Sequence, residues 1–232
     1  MIAVTPWERL GRFDNDWLSA RYHFSFGEFR DPALLGWGAL GVWNDDRVKA
    51  GGGFGMHPHR DMEIVTFMRK GVLTHRDSLG NEGHIAAGEV QAMSAGTGIV
   101  HSERNEAVGD AELFQIWIEP RAKGLTPRWS QARIAIAERP GEIVTLASGR
   151  ANRGEALEIA QDASVLAVDL PRGQRARHVL EPGRRVYLVP TRGAIAVNDQ
   201  RLDARGGAAV EGVNEIELRA IEDSEIVIVD VT

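Results

Sequence analysis

The sequence predicts an all-β protein built from two β-barrel lobes with few short helices. Three observations predict this fold. Short β-rich segments alternate with turn residues, 26 glycines and 9 prolines divide the chain into pieces too short for long helices, and the two halves repeat one order of segments. Short strands at such spacing are typical of sandwiches and barrels.

Seven segments are β-rich or alternate between apolar and polar residues, as half-buried strands do. They are residues 39–43, 63–68, 72–75, 113–118, 186–189, 195–197 and 226–231. Turn residues lie between them, and Asn44, Asp45 and Asp46 are interpreted as one such turn. Weak helical patterns occur only near residues 124–131 and 154–160.

The two halves share a rhythm of segments but differ in chemistry. In each half a strand, a turn ending in glycine (Gly71 or Gly193), a second strand and further short strands follow one another. Six of the seven histidines lie before residue 102. We therefore predict an N-terminal lobe over residues 1–132 that carries a metal site, and a C-terminal lobe over residues 133–232 without metal ligands.

The composition excludes several classes of function. The 232 residues include no cysteine, which excludes disulfides, thiolate metal ligands and cysteine nucleophiles. A formal net charge of −6 gives no general electrostatic reason to bind nucleic acid directly. No stretch has the length of an apolar membrane span, and the N-terminus lacks the pattern of a signal peptide. We expect a cytoplasmic protein with no membrane partner.

Two residue pairs predict a metal site in the N-terminal half. His57 and His59 are two positions apart, His101 and Glu103 are two positions apart, and glycines flank both pairs. Residues i and i+2 of a strand point to the same face, so two facing strands can direct all four side chains at one cation. Imidazole suits iron, nickel, copper and zinc, and a carboxylate also accepts harder ions such as manganese. Glu63 is an alternative carboxylate ligand at this point.

The remaining histidines and other motifs are interpreted without a functional role. His75 and His84 flank the turn around Gly80 and are predicted to lie at the surface, while His23 and His178 lack a spaced partner. No Gly-x-Ser-x-Gly motif occurs, and no Lys-Ser/Thr follows the glycines at residues 51–55 as a phosphate-binding loop requires. Pro58, between the first two histidines, requires an edge or bulged strand position.

The spacing of these residues resembles the two-part cupin signature, and in detail the pirin family. The first part is Gly51-x5-His57-x-His59-x3-Glu63-x7-Gly71, and the second is Gly88-x7-Gly96-x4-His101-x3-Asn105. The departures from the general signature are a longer run before Gly71 and Ser94 where proline is common. Together with the sequences at residues 57–63 and 94–103, they are similar to pirins. The resemblance covers roughly residues 15–132, and Asn44-Asp45-Asp46 is one of its further matches.

The resemblance implies a bicupin of two antiparallel jelly-roll β-barrels with a metal, most often Fe(II), in the N-terminal one. By position, His57, His59, His101 and Glu103 match the family's metal ligands, which favours Glu103 over Glu63. Nickel, manganese, cobalt, copper or zinc are alternative metals. Similar bacterial pirins are quercetin 2,3-dioxygenases, which open a flavonol ring with O2. The resemblance thus implies a dioxygenase with a small aromatic, flavonol-like substrate.

The expected mechanism gives Glu103 a second role as the base that removes the proton of the flavonol 3-hydroxyl. Phe54 and Met56 are either apolar walls for the planar ring or ordinary packing residues, and the sequence favours neither. Other pirins are protein-binding regulators, so a non-enzymatic metal-binding protein with a protein partner is the alternative. A sugar-isomerase-like cupin, which would not consume O2, is a third possibility.

Overall fold

The computed structural model describes residues 1–151 and 154–232, and this part of the chain is nearly all β-structure. One short 3₁₀-helix covers Trp7–Arg9, and no helix there is long and apolar enough to cross a membrane. In chain order, the strands are β1 (Ile2–Thr5), β2 (Gly11–Asp14), β3 (Leu18–Tyr22), β4 (Leu40–Val48), β5 (Gly53–His59), β6 (Glu63–Lys70), β7 (Val72–Asp77), β8 (Glu82–Ala86), β9 (Glu89–Ser94), β10 (Ile99–Arg104), β11 (Ala111–Ile118), β12 (Arg128–Arg133), β13 (Val144–Ser148), β14 (Leu157–Glu158), β15 (Ser164–Leu170), β16 (Arg175–Val179), β17 (Arg185–Arg192), β18 (Ala194–Val197), β19 (Gln200–Asp203), β20 (Gly207–Glu211), β21 (Glu215–Ala220) and β22 (Ser224–Val231).

The all-β prediction is confirmed, and each of the seven predicted segments lies in a strand apart from Ala39, which directly precedes β4. The two helical predictions are wrong. Residues 128–133 form β12, which pairs along its whole length with β9, and residues 157–158 form β14. Local sequence preference is a weak signal for such short segments, and strand pairing overrides it.

The predicted turn at Asn44, Asp45 and Asp46 is also wrong. These residues lie in the middle of β4, which pairs with β3 on one side and β11 on the other. All three side chains are buried. Asp and Asn favour turns because their side chains can bond to the local backbone, but here β4 is fixed by two neighbouring strands.

The chain forms two compact units, which we call the first and second lobes. The first lobe consists of Gly11–Ile134 and Ala156–Gln161, and the second of Met1–Leu10, Ala135–Glu155 and Asp162–Thr232. The first ten residues belong with the C-terminal half because β1 pairs with β20. Because β1 and β20 are about 200 residues apart, no local sequence pattern predicts their pairing. The division into an N-terminal lobe over residues 1–132 and a C-terminal lobe over residues 133–232 stays a prediction. In the structure, Met1–Leu10 belongs to the second lobe and Ala156–Gln161 to the first.

The first lobe contains two antiparallel sheets. The larger has the strand order β12-β9-β6-β11-β4-β3-β2, and the smaller has the order β5-β10-β7-β8. Buried apolar side chains of both sheets form one cluster, in which Ala20, Met68 and Leu113 of the larger sheet join Leu73 and Ile85 of the smaller. Face-to-face packing of this kind is the architecture of a β-sandwich or jelly roll.

The second lobe repeats this arrangement. One sheet contains the order β1-β20-β17-β22-β15-β13, and the other has the order β16-β21-β18-β19. The order β9-β6-β11-β4 of the first lobe thus corresponds to β20-β17-β22-β15 of the second. One row of directly opposed residues crosses the second-lobe sheet, and all of its members are apolar and buried: Leu166, Ile228, Leu188 and Ala208.

A tight turn at Gly96 leads into β10. Gly96 has φ +47°, and a Cβ atom there would lie 2.0 Å from the carbonyl oxygen of Leu125. We expect Gly96→Ala to lower the free energy of unfolding by about 2 kcal/mol or more, because backbone strain and overlap add. Gly80→Ala is the matched control, since Gly80 has φ +87° but no atom within 4 Å of the added Cβ. Equal losses in denaturant unfolding would show that the Leu125 contact contributes nothing.

Candidate metal centre

His57, His59 and His101 form one cluster in the first lobe. Strands β5 and β10 are antiparallel neighbours, and His57 lies directly opposite His101. The ring centroids are 4.4 Å apart for His57 and His101, 4.8 Å for His57 and His59, and 4.9 Å for His59 and His101. One nitrogen from each ring lies within 4.8 Å of the others. Three imidazoles can therefore face a single cation.

The strand positions explain this convergence. β5 is an edge strand, as the proline between its two histidines requires. The i, i+2 spacing places His57 and His59 on one face. The register of β10 against β5 shifts between His101 and Glu103. Two residues of β5, Gly55 and Met56, stand there against the single Ser102 of β10, so the bulge lies on β5, close to Pro58. Such a bulge redirects side chains.

The donor set fits a divalent metal. His101 is buried, and its Nε2 has no hydrogen-bond partner among the described residues. Burial, followed by the positive charges that His57, His59 and His75 can carry, lowers the pKa of His101 to about 2. Burial and the charge of His57 lower the pKa of His59 to about 4. Both imidazoles are thus neutral near pH 7, which is the form that binds metal.

Glu103 lies beside this cluster in a second group of potential ligands. One ligand atom each of His75, His101 and Glu103 lie within 4.8 Å of one another. The four predicted ligands thus do not form a single group. His101 is the member shared by the histidine cluster and by the group that contains Glu103. Glu63 is in neither group, and its Oε2 accepts hydrogen bonds from Ser94 Oγ and the Ala160 amide.

Three donors hold the Glu103 carboxylate. Gln91 Nε2 donates to Oε1 at 2.5 Å, Thr66 Oγ1 lies 3.4 Å from Oε1, and Gln115 Nε2 donates to Oε2 at 2.7 Å. The amides are oriented in turn, because Trp129 donates to Gln91 Oε1 and Trp117 to Gln115 Oε1. Burial raises the pKa of Glu103 to about 7, although these three bonds favour the carboxylate.

The three donors belong to one row of residues that crosses the larger sheet of the first lobe. Opposed residues on neighbouring strands share a face of the sheet. We call this set the cross-sheet polar row, and its buried members in strand order are Gln91, Thr66, Gln115, Asn44 and Tyr22. Glu103 extends from β10 of the smaller sheet and contacts this polar row, while the rest of the interior between the two sheets is apolar.

The prediction that His75 lies at the surface is wrong. His75 is fully buried, and its ring stacks on Trp129 at a centroid distance of 4.7 Å. Its Nε2 is 3.0 Å from Asp77, and its Nδ1 is 3.4 Å from His101 Nδ1. Alternation could have shown this burial, since His75 shares a strand face with the apolar Leu73. His84 is exposed, as predicted.

Comparison with known proteins identifies the family. The pirin family model matches residues 4–118, and the model of the quercetinase C-terminal cupin domain matches residues 145–231. A Pseudomonas aeruginosa protein named "putative quercetin 2,3-dioxygenase" is 53% identical over 231 residues, which cover 100% of both chains. The chain belongs to the pirin family. The resemblance seen in the motifs is thereby confirmed, and it extends through the second lobe.

Two relatives from Escherichia coli add detail. A protein named quercetin 2,3-dioxygenase is 36% identical to this pirin and covers 99% of it, with 98% of the relative matched. The crystal structure of the bacterial pirin YhhW in complex with nickel(II) aligns with a TM-score of 0.94 and 37% identity, covering 100% of this chain and 99% of that one. The bicupin fold is therefore shown for this pirin.

The histidine cluster of this pirin opens into a cavity of about 340 Å³ within the first lobe. Its lining includes His57, His59 and Glu103 together with aromatic side chains. Phe54 is among them. Met56 is not: its side chain is 59% exposed and is absent from the lining, because Gly55 and Met56 form the bulge of β5 between Phe54 and His57.

The polar residues that line the cavity of this pirin include two that sequence reasoning assigned to a turn. They are Asn44 and Asp46 of β4. Burial, followed by the charges of Asp45 and Glu103, raises the pKa of Asp46 to about 8. A buried carboxyl in a cavity, with so shifted a pKa, is a candidate for a functional role. The sequence contained one sign of this strand. Asn44, Asp45 and Asp46 directly follow the β-rich segment at residues 39–43, with no glycine or proline between them.

Proposed function

We propose that this pirin is a metal-dependent dioxygenase that opens the ring of a flavonol such as quercetin with O2. The observation that carries the proposal is that one cavity of about 340 Å³ is lined both by the potential metal ligands His57, His59 and Glu103 and by aromatic side chains. A pocket of this size with a few convergent polar groups suits a small planar molecule. The names of the relatives support the same chemistry.

The proposed ligands are His57, His59, His101 and Glu103. Three imidazoles and one carboxylate suit a first-row divalent metal, with Fe(II) as our first choice and nickel, manganese, cobalt, copper or zinc as alternatives. The nickel(II) complex of YhhW supports a divalent ion of this class. Such an ion would act as a Lewis acid toward a phenolic oxygen, and the redox-active ions of this set, which exclude zinc, would also supply redox chemistry with O2.

Glu103 is the proposed base for the substrate's 3-hydroxyl. Among the described residues one donor, Gln115, reaches its Oε2, which so retains capacity to accept the hydroxyl proton. A pKa raised to about 7 suits proton transfer near neutral pH. The hydrogen bonds from Gln91 and Thr66 to Oε1 hold the group in place during this transfer. Phe54 and Trp117 bound the ring site and exclude water.

The test combines elemental analysis of freshly purified protein with O2 uptake in the presence of quercetin. We expect one metal per chain, turnover with loss of the flavonol absorbance, and loss of both in His57→Ala. Glu103→Gln should lose at least about 100-fold in kcat, the usual contribution of a positioned base. Full activity of a metal-loaded Glu103→Gln protein would refute the base assignment.

The same assay separates this function from the alternative of a regulatory pirin. Stoichiometric metal without O2 uptake from any flavonol would favour a metal-binding protein that acts through a protein partner. The absence of stoichiometric metal would contradict both. The cytoplasmic location stays a prediction from the sequence.

A further inference from the structure

Asn44, Asp45 and Asp46 place three consecutive polar side chains in a central strand. Side chains alternate between the faces of a strand, so the three divide into two sets. Asp45 forms an ion pair with Arg69, whose guanidinium lies 4.7 Å from the ring centroid of Phe114. Asn44 and Asp46 point to the opposite face and line the cavity. Asp45 thus has a structural partner, and the other two require a separate explanation.

Asn44 and Asp46 are buried without complete hydrogen bonding. They are 3% and 2% exposed, and the Oδ1 atoms of both have no hydrogen-bond partner among the described residues. An unsatisfied buried acceptor costs about 1–3 kcal/mol. Native proteins keep few such groups, and those at a cavity often serve a ligand.

The neighbours of Asp46 do not explain a carboxyl at this position. Asp46 lies directly between Ala20 of β3 and Leu113 of β11, and both are buried members of the apolar cluster. Asn44 lies beside Gln115, the residue that donates to Glu103. An apolar residue would suit the packing at position 46 better. The carboxyl is therefore unfavourable for the fold alone.

We propose that Asn44 and Asp46 form a polar subsite that binds a ring hydroxyl of the aromatic substrate. This inference rests on the proposed function and adds to it the two residues that would select among substrates. The acceptor oxygens suit hydroxyl donors, and the aromatic walls suit the ring that carries them. Tyr22 and Phe26 are in contact on one wall, with centroids 5.2 Å apart.

The chemistry of the two side chains defines the group that this subsite accepts. The Asn44 amide oxygen and the Asp46 carboxyl both line the cavity, and each can accept a hydrogen bond from a hydroxyl. The substrate class is therefore a polyphenol in which a hydroxyl besides the metal-directed one is recognised.

Binding without turnover tests the subsite. Nickel-loaded protein under argon is titrated with quercetin and with 3-hydroxyflavone, which keeps the 3-hydroxyl and lacks the ring hydroxyls, and tryptophan fluorescence reports binding. For the wild type we expect tighter binding of quercetin. Asp46→Val should weaken quercetin binding about ten-fold, the effect of about 1.4 kcal/mol, and leave 3-hydroxyflavone binding unchanged. Equal weakening of both probes, or no weakening, would overturn the proposal.

Two controls keep the result independent of folding and of catalysis. Asn44→Val should show the same selective loss, and it replaces Asp46→Val if that variant does not fold. Metal content and thermal unfolding are measured for each variant, and we expect unfolding temperatures no lower than that of the wild type because an unsatisfied polar group is removed. Selective binding in a protein that does not turn over quercetin would contradict the proposed function but support the subsite. If the protein turns over quercetin but the variants weaken the binding of both probes equally, the proposed function is supported and the subsite is contradicted.

Discussion

Replacing His101 with alanine is expected to abolish stoichiometric metal binding and all metal-dependent activity. His101 is the central member of the cluster, because it contacts the rings of His57, His59 and His75 and belongs to both groups of potential ligands. Loss of residues that merely orient ligands weakens metal binding about 10- to 100-fold, so loss of a ligand should exceed about 100-fold. Titration of the metal-free protein with Ni²⁺ or Fe²⁺ under argon measures this.

His84→Ala is the matched control for this variant. His84 lies in the same lobe, is exposed and bonds only to Thr74 Oγ1 among the contacts of the described residues. We expect it to bind metal as the wild type does. If His101→Ala retains wild-type affinity, the metal is bound elsewhere.

Exchanging the side chains of Glu103 and Gln115 is expected to separate folding from metal binding. In Glu103→Gln alone, a new amide faces the amide donors of Gln91 and Gln115, and one buried donor loses its acceptor. We expect a loss of about 1–3 kcal/mol in the free energy of unfolding. Adding Gln115→Glu restores an acceptor for the amide at 103 and keeps one for Trp117 Nε1.

The double variant should therefore recover stability but not the metal centre. Its carboxylate lies on β11 in the cross-sheet polar row and no longer on β10 beside His101. Denaturant unfolding and metal titration are measured on the same three proteins. Recovery of metal affinity together with stability would show that Glu103 acts only through the hydrogen-bond network and not as a ligand.

The histidine cluster could be predicted from the sequence because its signal is local. A spacing of two along a strand fixes the face on which His57 and His59 lie, whatever the rest of the chain does. The glycines before β10 likewise mark a turn that only a left-handed backbone can form, as Gly96 shows. The choice of Glu103 over Glu63 needed the family resemblance, since both carboxylates have suitable positions along the chain.

The parts that were predicted wrongly, or not at all, depend on pairing between distant strands. His75 flanks a turn in the sequence and only its alternation with Leu73 indicates burial, but β7 pairs with β10 and brings it opposite Glu103. Asn44 and Asp46 have the composition of a turn, yet two flanking strands hold them extended. β1 joins the second lobe through β20, more than 200 positions along the chain from Ile2. Local propensity carries no information about such partners.

The apolar row of the second lobe indicates how much apolar burial the first lobe lacks at the corresponding positions. On the same strand order, Leu166, Ile228, Leu188 and Ala208 fill the interior of one lobe, whereas amides and a hydroxyl occupy the row in the other. Each polar member displaces apolar burial that would contribute stability at about 25 cal/mol per Å². Apolar substitutions in this row would therefore raise stability but remove the polar groups that hold Glu103 or line the cavity, so thermostability and the candidate metal centre place opposing demands on the same few positions.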